Sequence, residues 1–341
     1  MEKLFLLITS GVFMYCCIIC PLLCPPKTEA DCNEKLNISR CPNNHSNYES
    51  PYRIKDKFEI IRVAKRIVKS DGVVILTFMN KAFKPFLANW MCHTKQMVRE
   101  SQILLVMTET EEYGDFRSVY PKVNIVYLKS FQGISENQRY CTAGFMRIGI
   151  YRTTVVNWIL QEGVPIFVFE LDALWLQNPL PFITTNTEYD ITIIPTYEKS
   201  FEAAIGFYYM TANKRMQQFW QELTRRLHDL SKTFSCLKNK ERVRGRDNDQ
   251  MVLYGLIQEH YENLIIFFLP TNKFLDGKWY RKPETHLLRE ALILNFNFVI
   301  GIDEKIIRAR RFGHWFVAND NLTCLPDKYE RFQMSLNEYL K

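Results

Sequence analysis

Short apolar segments alternate with helix-like segments in this chain, and this alternation is what most limits the folds it can adopt. Buried-strand patterns occupy residues 72–77, 103–107, 123–127 and 165–169. Apolar residues recur at helical spacing in the stretches around them, at 55–68, 82–98 and 145–162. Strands that alternate with helices in this way are typical of βαβ units and a parallel sheet. The sequence therefore predicts an α/β fold.

The second half of the chain is less regular but continues the mixed pattern. Strands are predicted at 190–195, 204–210, 264–269 and 291–300. Helices are predicted at 212–229 and 247–260. No internal repeat is present, and residues 56–341 are long enough for one large α/β domain.

The N-terminus contains the one strongly apolar segment, because no charged residue occurs from Leu4 to Cys24. A helix needs about 20 apolar residues to cross a bilayer, whereas the apolar part of a secretory signal has about 7–15. The length of this run therefore predicts an uncleaved signal anchor at residues 1–24. A cleaved signal stays open as the alternative, since Thr28-Glu29-Ala30 offers small residues near a cut site.

Residues 25–55 begin with a proline pair and hold few large apolar side chains, so they are predicted to form a spacer. Glycosylation sequons begin at Asn37, Asn44 and Asn321. Two sequons close together just after an apolar segment indicate an exposed, glycosylated stem. We therefore expect a single-pass type II membrane protein of the Golgi or endoplasmic reticulum, with residues 56–341 in the lumen.

Cysteines occur in the apolar run, in the stem and in the folded region, and number ten in all. Cys17 and Cys20 have the spacing of a metal or redox pair, but within an apolar helix they are better explained as filler or a palmitoylation site. The folded region contains Cys92, Cys141, Cys236 and Cys324. Their wide spacing argues against a zinc site, and the sequence leaves their disulfide pairing open.

The charge balance is moderately basic, since 44 Lys and Arg against 37 Asp and Glu give a net charge of +7. This charge fits a ligand that carries phosphate groups and does not demand nucleic acid. The sequence lacks the motifs of P-loop NTPases, dinucleotide-binding enzymes and serine hydrolases. Those three classes are therefore disfavoured.

The clearest chemical feature is Glu170-Leu-Asp172, two carboxylates one residue apart at the end of a predicted strand. Residues i and i+2 of a strand point the same way, so both carboxylates can face one cation. Ligands gather at the carboxyl ends of strands in open α/β sheets, and oxygen ligands suit Mg²⁺ or Mn²⁺. A solvated strand end is the alternative. The apolar strand before the acids and Trp175 after them favour a cation site.

The segment 163–179, which contains these acids with Trp175 and Pro179, resembles the acidic motif of the nucleotide-diphospho-sugar transferase family. This family includes plant rhamnogalacturonan xylosyltransferases and extensin arabinosyltransferases. Further matching segments occur in order between about residues 72 and 315: Thr77 and Asn80 with Asn89-Trp90, Ile205-Gly-Phe-Tyr-Tyr209, Asn248-Asp-Gln250, Phe274-Leu-Asp-Gly277, and Asn297-Phe-Val-Ile-Gly301 with Lys305.

The resemblance implies a GT-A fold, which is a Rossmann-like mixed sheet flanked by helices. It also implies that a Mn²⁺ or Mg²⁺ ion on the donor diphosphate is held by Glu170 and Asp172. The residues implied in donor binding are Thr77, Asn80, Arg152, Gly301 and Lys305. Those implied at the reacting centre are Asp249 and Gln250, and the implied reaction retains the anomeric configuration.

Three positions depart from the family pattern. Glu170 replaces the first Asp of the motif, and Ala204 replaces an Asn. Asn295 stands where a His often supplies the third metal ligand. His314 is an alternative third ligand, although a histidine beside Trp315 is more often a structural hydrogen-bonding residue.

The expected function is metal-dependent transfer of a sugar from a UDP-sugar to a glycan or glycoprotein acceptor. The alternative is a non-catalytic protein of the same fold that binds a sugar or nucleotide. Three site positions also have structural explanations. Asn248 or Asp249 could simply cap the helix, Arg152 could form a salt bridge on a helix face, and Lys305 could be a solvated lysine.

Overall fold

The structure is a computed structural model that describes residues 53–108, 113–128, 134, 136–185, 187–196, 202–320 and 322–338. The predicted anchor at 1–24, the stem up to residue 52 and all three sequon asparagines lie outside these ranges. Those expectations therefore stay predictions. Within the described ranges, no helix combines the length and the apolar character needed to span a bilayer.

A seven-stranded mixed sheet forms the centre of the fold, in the order β3-β2-β1-β4-β7-β6-β8. Its strands are β1 Val74–Met79, β2 Ile103–Met107, β3 Asn124–Tyr127, β4 Ile166–Phe169, β6 Ile191–Pro195, β7 Ala203–Met210 and β8 Ile266–Phe268. Strands β3, β2, β1 and β4 are parallel, whereas β7 runs antiparallel to β4 and β6. The carboxyl ends of β1, β2 and β4 consequently meet at one edge of the sheet.

Helices cover both faces of this sheet. They are α1 Ile54–Asp71, α2 Lys84–Thr94, α3 Tyr113–Val119, α4 Ala143–Leu160, α5 Leu180–Thr184, α6 Lys214–Lys232, α7 Asp249–Gln258, α8 Ile302–Arg311 and α9 Pro326–Glu338. Along β1, Val74 and Leu76 pack into one core layer with α1, α4, α6 and α7. Ile75 and Met79 pack into the other layer with α2. Two-sided burial explains why the parallel strands read as continuous apolar runs.

A second, three-stranded sheet packs into the same core layer as α2. It consists of β5 Ala173–Trp175, β9 Phe274–Leu275 and β10 Ile293–Asn295, in the order β5-β10-β9. The strand predicted at 291–300 ends at Asn295, earlier than expected. Phe298 has a φ of 58° and Gly301 a φ of 108°, and this backbone turns the chain into α8. The sequence did not predict β5 and β9, because strands of two or three residues show no periodicity.

A disulfide joins Cys92 on α2 to Cys324, which lies just before α9. The two cysteines are 232 residues apart in sequence, with 5.5 Å between their Cα atoms. Cys141 and Cys236 are also disulfide-bonded. The structure thereby supplies a pairing that the sequence left open, and it ties the C-terminal helix region to the central fold.

Removal of the Cys92–Cys324 bond should lower the free energy of unfolding by about 2–4 kcal/mol, because a long crosslink restricts the unfolded chain. Urea denaturation of Cys92→Ser, Cys324→Ser and the double variant measures this change. The three variants should lose the same amount, since each removes the same bond. A double variant as stable as the parent protein would show that the bond does not stabilise the fold.

Candidate active site

A cavity of about 560 Å³ lies at the edge of the central sheet where β1, β2 and β4 end. Asn80 follows β1, Thr108 follows β2, and Glu170 and Asp172 follow β4, and all four residues line the cavity. Open α/β sheets bind ligands at this edge. The volume also lies within the range of sites for small molecules and cofactors, about 300–1,000 Å³.

Apolar packing fixes the backbone that carries the two acids. All residues of β4 are buried, and Leu171 between the acids is only 3% exposed. The ring centroid of Trp90 lies 4.6 Å from that of Phe169, before the acids, and 5.2 Å from that of Trp175, after them. The carboxylates of Glu170 and Asp172 therefore project from a rigid turn rather than from a solvated loop.

His93 supports this turn from within the core. Its Nε2 accepts a hydrogen bond from the backbone N–H of Trp175 at 3.1 Å, so Nε2 is unprotonated. Its Nδ1 lies 2.7 Å from the carbonyl oxygen of Asn89 and donates its proton there. Burial lowers the pKa of His93 to about 4, although the bond to Asn89 opposes the shift. The ring is therefore neutral at physiological pH.

Arg152 on α4 binds two acids at once. Its Nη1 lies 2.6 Å from Glu170 Oε1, and its Nη2 lies 3.2 Å from Asp249 Oδ2. Burial disfavours the charge on Arg152, but the two carboxylates outweigh this effect and raise the pKa of its guanidinium above the ordinary value. These two ion pairs link the end of β4, α4 and α7 at the cavity wall.

Lys305 on α8 forms the second ion pair of the motif, between its Nζ and Asp172 Oδ2. The Asp172 side chain is 5% exposed and the Lys305 side chain 18%. Gly301 precedes α8, and both Gly301 and Lys305 line the cavity. The positive N-terminal end of α8 therefore lies at the cavity together with a lysine from its first turns.

At the start of α7, the N-cap residue and the residue that lines the cavity are different residues. Asn248 is the cap, because its side-chain oxygen accepts the backbone N–H of Met251 at 2.9 Å. Asp249 begins the helix, lines the cavity and binds Arg152. Asp249 also accepts the backbone N–H of Gln250 at 3.1 Å, so it helps to satisfy the first turn of the helix while it binds Arg152 in the cavity.

Two glycines leave room for the carboxylates. A Cβ atom at position 149 would lie 2.8 Å from a carboxylate oxygen of Asp249. A Cβ atom at position 206 would lie 2.5 Å from Glu170 Oε2. Both distances are shorter than Cβ atoms approach other heavy atoms in proteins. Gly149 on α4 therefore permits the close approach of Asp249, and Gly206 on β7 permits that of Glu170.

Two of the sequence-predicted site residues do not line the cavity. Thr77 is fully buried, and its hydroxyl donates to the Phe169 carbonyl at 3.0 Å, which ties β1 to the end of β4. Gln250 accepts the backbone N–H of Ile205 at 3.4 Å and so ties α7 to β7. Both residues hold the elements that carry the site.

Asn80 lines the cavity, but its side chain is occupied by backbone groups. Its oxygen accepts the N–H of Phe83 at 3.2 Å. Its nitrogen donates to the carbonyl oxygens of Ile134 and Glu136 at 3.3 and 3.2 Å. Asn80 therefore fixes the loop that forms one wall of the cavity.

The residues present do not complete the cation site that the sequence predicted. The described residues contain no group of three or more His, Cys, Asp or Glu side chains suited to a metal ion. Asn295 uses its side-chain oxygen to accept the N–H of Asn297 at 2.8 Å. His314 binds the Tyr280 hydroxyl at 2.8 Å, and burial lowers its pKa to about 3. Neither candidate third ligand lines the cavity.

Some site residues were not predicted. Gly149 could have been noticed, because a glycine inside a helix costs about 1 kcal/mol and needs a reason. Arg139 lines the cavity and forms no ion pair with any described residue. It lies outside every recognisable motif, so no sequence signal identified it. Aromatic and aliphatic residues of the cavity wall, such as Phe78 and Ile148, cannot be distinguished from core residues in the sequence.

Comparison with known proteins identifies the family of the chain. The model of the nucleotide-diphospho-sugar transferase family matches residues 101–308, which include β4, its two acids, Asp249 and Lys305. The chain belongs to this family. Membership confirms the predicted family and makes the chain a glycosyltransferase by class. The mixed sheet flanked by helices confirms the predicted α/β architecture of the GT-A type.

Curated relatives are distant in sequence. UDP-D-xylose:L-fucose alpha-1,3-D-xylosyltransferase 1 of Arabidopsis thaliana is 22% identical over 290 residues, covering 78% of this chain and 77% of the relative. Arabinosyltransferase XEG113 of the same plant is 24% identical over 131 residues, covering 37% of this chain and 20% of the relative. The solved glycosyltransferase GlyE of Streptococcus pneumoniae TIGR4 is 12% identical, with a TM-score of 0.46. That match covers 77% of this chain and 64% of GlyE, which is less than two thirds of its length.

Substitution of Gly149 by alanine should displace Asp249 and its bond to Arg152, because the added Cβ meets the carboxylate. A displacement of this size can cost about 100-fold in activity. Gly255→Ala is the matched control, since Gly255 also lies in a helix and nothing lies within 4 Å of its added Cβ. The control should keep full activity, as measured by release of nucleotide from the donor. Equal activity of the two variants would contradict this role of Gly149.

The buried histidine His93 should make the fold sensitive to acid. Its pKa is about 4 in the folded state, against 6.5 in the unfolded chain, so the unfolded state binds a proton first as the pH falls. Stability should therefore decrease from pH 6.5 towards pH 4, by roughly 2 kcal/mol at pH 5. Urea denaturation at pH 7 and pH 5 measures this loss. His93→Gln should reduce the pH dependence, and an unchanged dependence would exclude His93 as its source.

Proposed function

We propose that this protein transfers a sugar from a nucleoside diphosphate donor, a UDP-sugar, to a hydroxyl group of a glycan or glycoprotein. One observation carries the proposal: acids and cations from β4, α4, α7 and α8 line a single cavity at the ligand-binding edge of the sheet. Seven of the nine residues that the sequence implied line that cavity, namely Asn80, Arg152, Glu170, Asp172, Asp249, Gly301 and Lys305.

The cavity offers different surfaces to the parts of such a donor. Phe78, Phe145 and Ile148 provide apolar walls for a nucleoside. Lys305 and the backbone N–H groups at the start of α8 offer donors to phosphate oxygens, while the first-turn acids Asp303 and Glu304 are exposed and do not line the cavity. Departure of a nucleoside diphosphate develops negative charge on those oxygens, so fixed cations beside them lower the barrier.

Asp249 is the residue we place beside the anomeric carbon. Its side chain is 7% exposed, faces the cavity and is held by Arg152. A carboxylate there would stabilise the positive charge that develops on the sugar ring as the leaving group departs. Retention of configuration, which the family resemblance implies, requires the acceptor to approach from the face that the diphosphate leaves.

Other features of the chain support a proposal for its location. Disulfides form and persist in oxidising compartments, and Cys92 is bonded to Cys324. The sequons at Asn37 and Asn44 and the apolar run at residues 4–24 are those of a glycosylated, membrane-anchored protein. We therefore place the protein in the Golgi or endoplasmic reticulum lumen as a type II membrane protein.

The manganese ion that the resemblance implies enters no step of this proposal, because the described residues do not complete a site for it. The competing function is binding of a nucleotide or sugar without catalysis. The position of Asp249 favours catalysis, since a buried acid repels an anionic donor but stabilises the positive charge that develops on the sugar ring during transfer.

Turnover of nucleotide sugars tests the proposal. The full-length protein, screened against UDP-sugars with a nucleotide-release assay, should release UDP from one of them. Asp249→Asn should lower this rate by about 100- to 1,000-fold, as loss of one transition-state contact does elsewhere, and should leave UDP binding nearly unchanged.

Asp327→Asn is the matched control, because Asp327 also lies in the first turn of a helix but is exposed and outside the cavity. It should keep the full rate. Binding of UDP without release from any sugar donor would support the non-catalytic function. Normal turnover of Asp249→Asn would remove Asp249 from the reacting centre.

A further inference from the structure

Both acids of the Glu170-Leu-Asp172 motif already have a cationic partner from the chain itself. Glu170 binds Arg152 at 2.6 Å, and Asp172 binds Lys305. Each acid gives one oxygen to its cation, so a divalent cation would have to bind the two remaining oxygens beside these positive charges and would still need further ligands. Asn295, which pairs with Ala173 in the small sheet, offers only a neutral amide whose oxygen is bonded to the backbone.

The same cavity contains the positive charge that a divalent cation would otherwise supply. Lys305 and Arg152 line it, and Arg139 adds an exposed guanidinium that forms no ion pair with any described residue. The backbone N–H groups at the start of α8 follow Gly301, which lines the cavity and has no side chain of its own. These groups come from α4, α8 and the loop before α4, so they surround the cavity from different sides.

The ion pairs leave these cations able to bind phosphate. A lysine ammonium has three donors, and a guanidinium has five. Lys305 is bonded to one carboxylate and Arg152 to two, so donors remain on both groups. The acids also hold the two long side chains in one conformation, which reduces the entropy lost when a ligand binds.

We propose that this site binds the donor diphosphate without a divalent cation, and that Lys305 and Arg152 supply the positive charge. Asp172 and Glu170 then act as positioning residues for these cations. The inference rests on the proposed function. In the transfer step the bond from the anomeric carbon to the β-phosphate oxygen breaks. A new bond forms from that carbon to the acceptor oxygen, and the acceptor proton passes to the departing diphosphate.

Calorimetric titration of the full-length protein with UDP, in EDTA and in MnCl₂, tests this inference. The dissociation constants in the two buffers should agree within about threefold. Binding only in MnCl₂ would overturn the metal-free site while leaving the proposed function intact. Absence of UDP binding in both buffers would count against the proposed function, and this inference would fall with it.

Two substitutions at the site further distinguish metal-free binding of UDP from binding through a metal ion. Lys305→Met should weaken UDP binding in EDTA by about 10- to 100-fold, because a charge-assisted hydrogen bond is lost. Asp172→Asn should change UDP binding in EDTA by less than about threefold, because the asparagine oxygen still accepts a hydrogen bond from Lys305 and removal of a negative charge beside the diphosphate offsets the lost ion pair. If Asp172 is instead a metal ligand, Asp172→Asn should weaken UDP binding in MnCl₂, and that result would contradict the proposal.

Arg310→Met is the matched control for loss of a cation from the same helix. Arg310 lies on α8 but is exposed and does not line the cavity. Its UDP affinity should equal that of the parent protein. A loss as large as that of Lys305→Met would show that the effect arises from the overall charge of α8, which would overturn the role given to Lys305. Melting temperatures of all variants confirm that each is folded.

Discussion

The pairing of two strand-end acids with two cations from neighbouring helices is the interaction on which this site depends. Glu170 and Asp172 leave the sheet together at the end of β4, and Arg152 and Lys305 reach them from α4 and α8. Buried charges persist only when they are paired, because desolvation of a lone ion costs several kcal/mol. The ion pairs therefore fix how the helices meet the sheet edge, and they leave a charged but balanced cavity there.

The rest of the fold holds these pairs in place through neutral contacts. Thr77 and His93 bond the backbone on either side of the two acids. Gly149 leaves space for the carboxylate of Asp249, and Gly206 leaves space for that of Glu170. In the sequence, each of these residues looks like an ordinary core or helix residue. In the structure, each contacts an acid of the site or the backbone close to one.

Much of the fold was predictable because its strands are buried on both faces. The strand predicted at 103–107 matches β2, and the strand predicted at 165–169 differs from β4 by one residue. The small sheet was not predictable, since β5 and β9 are too short for any periodic pattern and form only through long-range pairing. At the site, family motifs pointed to nine residues, of which seven line one cavity. They could not show that Asp172 faces Lys305, because a pairing between residues 133 positions apart is a property of the fold.

The central claim is that the cavity binds a nucleoside diphosphate through cations of the chain itself. A crystal structure of the protein with UDP, grown in the presence of EDTA, tests it most directly. The account predicts phosphate oxygens within hydrogen-bond distance of Lys305 Nζ and the Arg152 guanidinium, with the uracil ring against the apolar wall near Phe78. UDP bound elsewhere, or a diphosphate that enters the cavity only when a divalent cation bridges it to Glu170 and Asp172, would contradict the account.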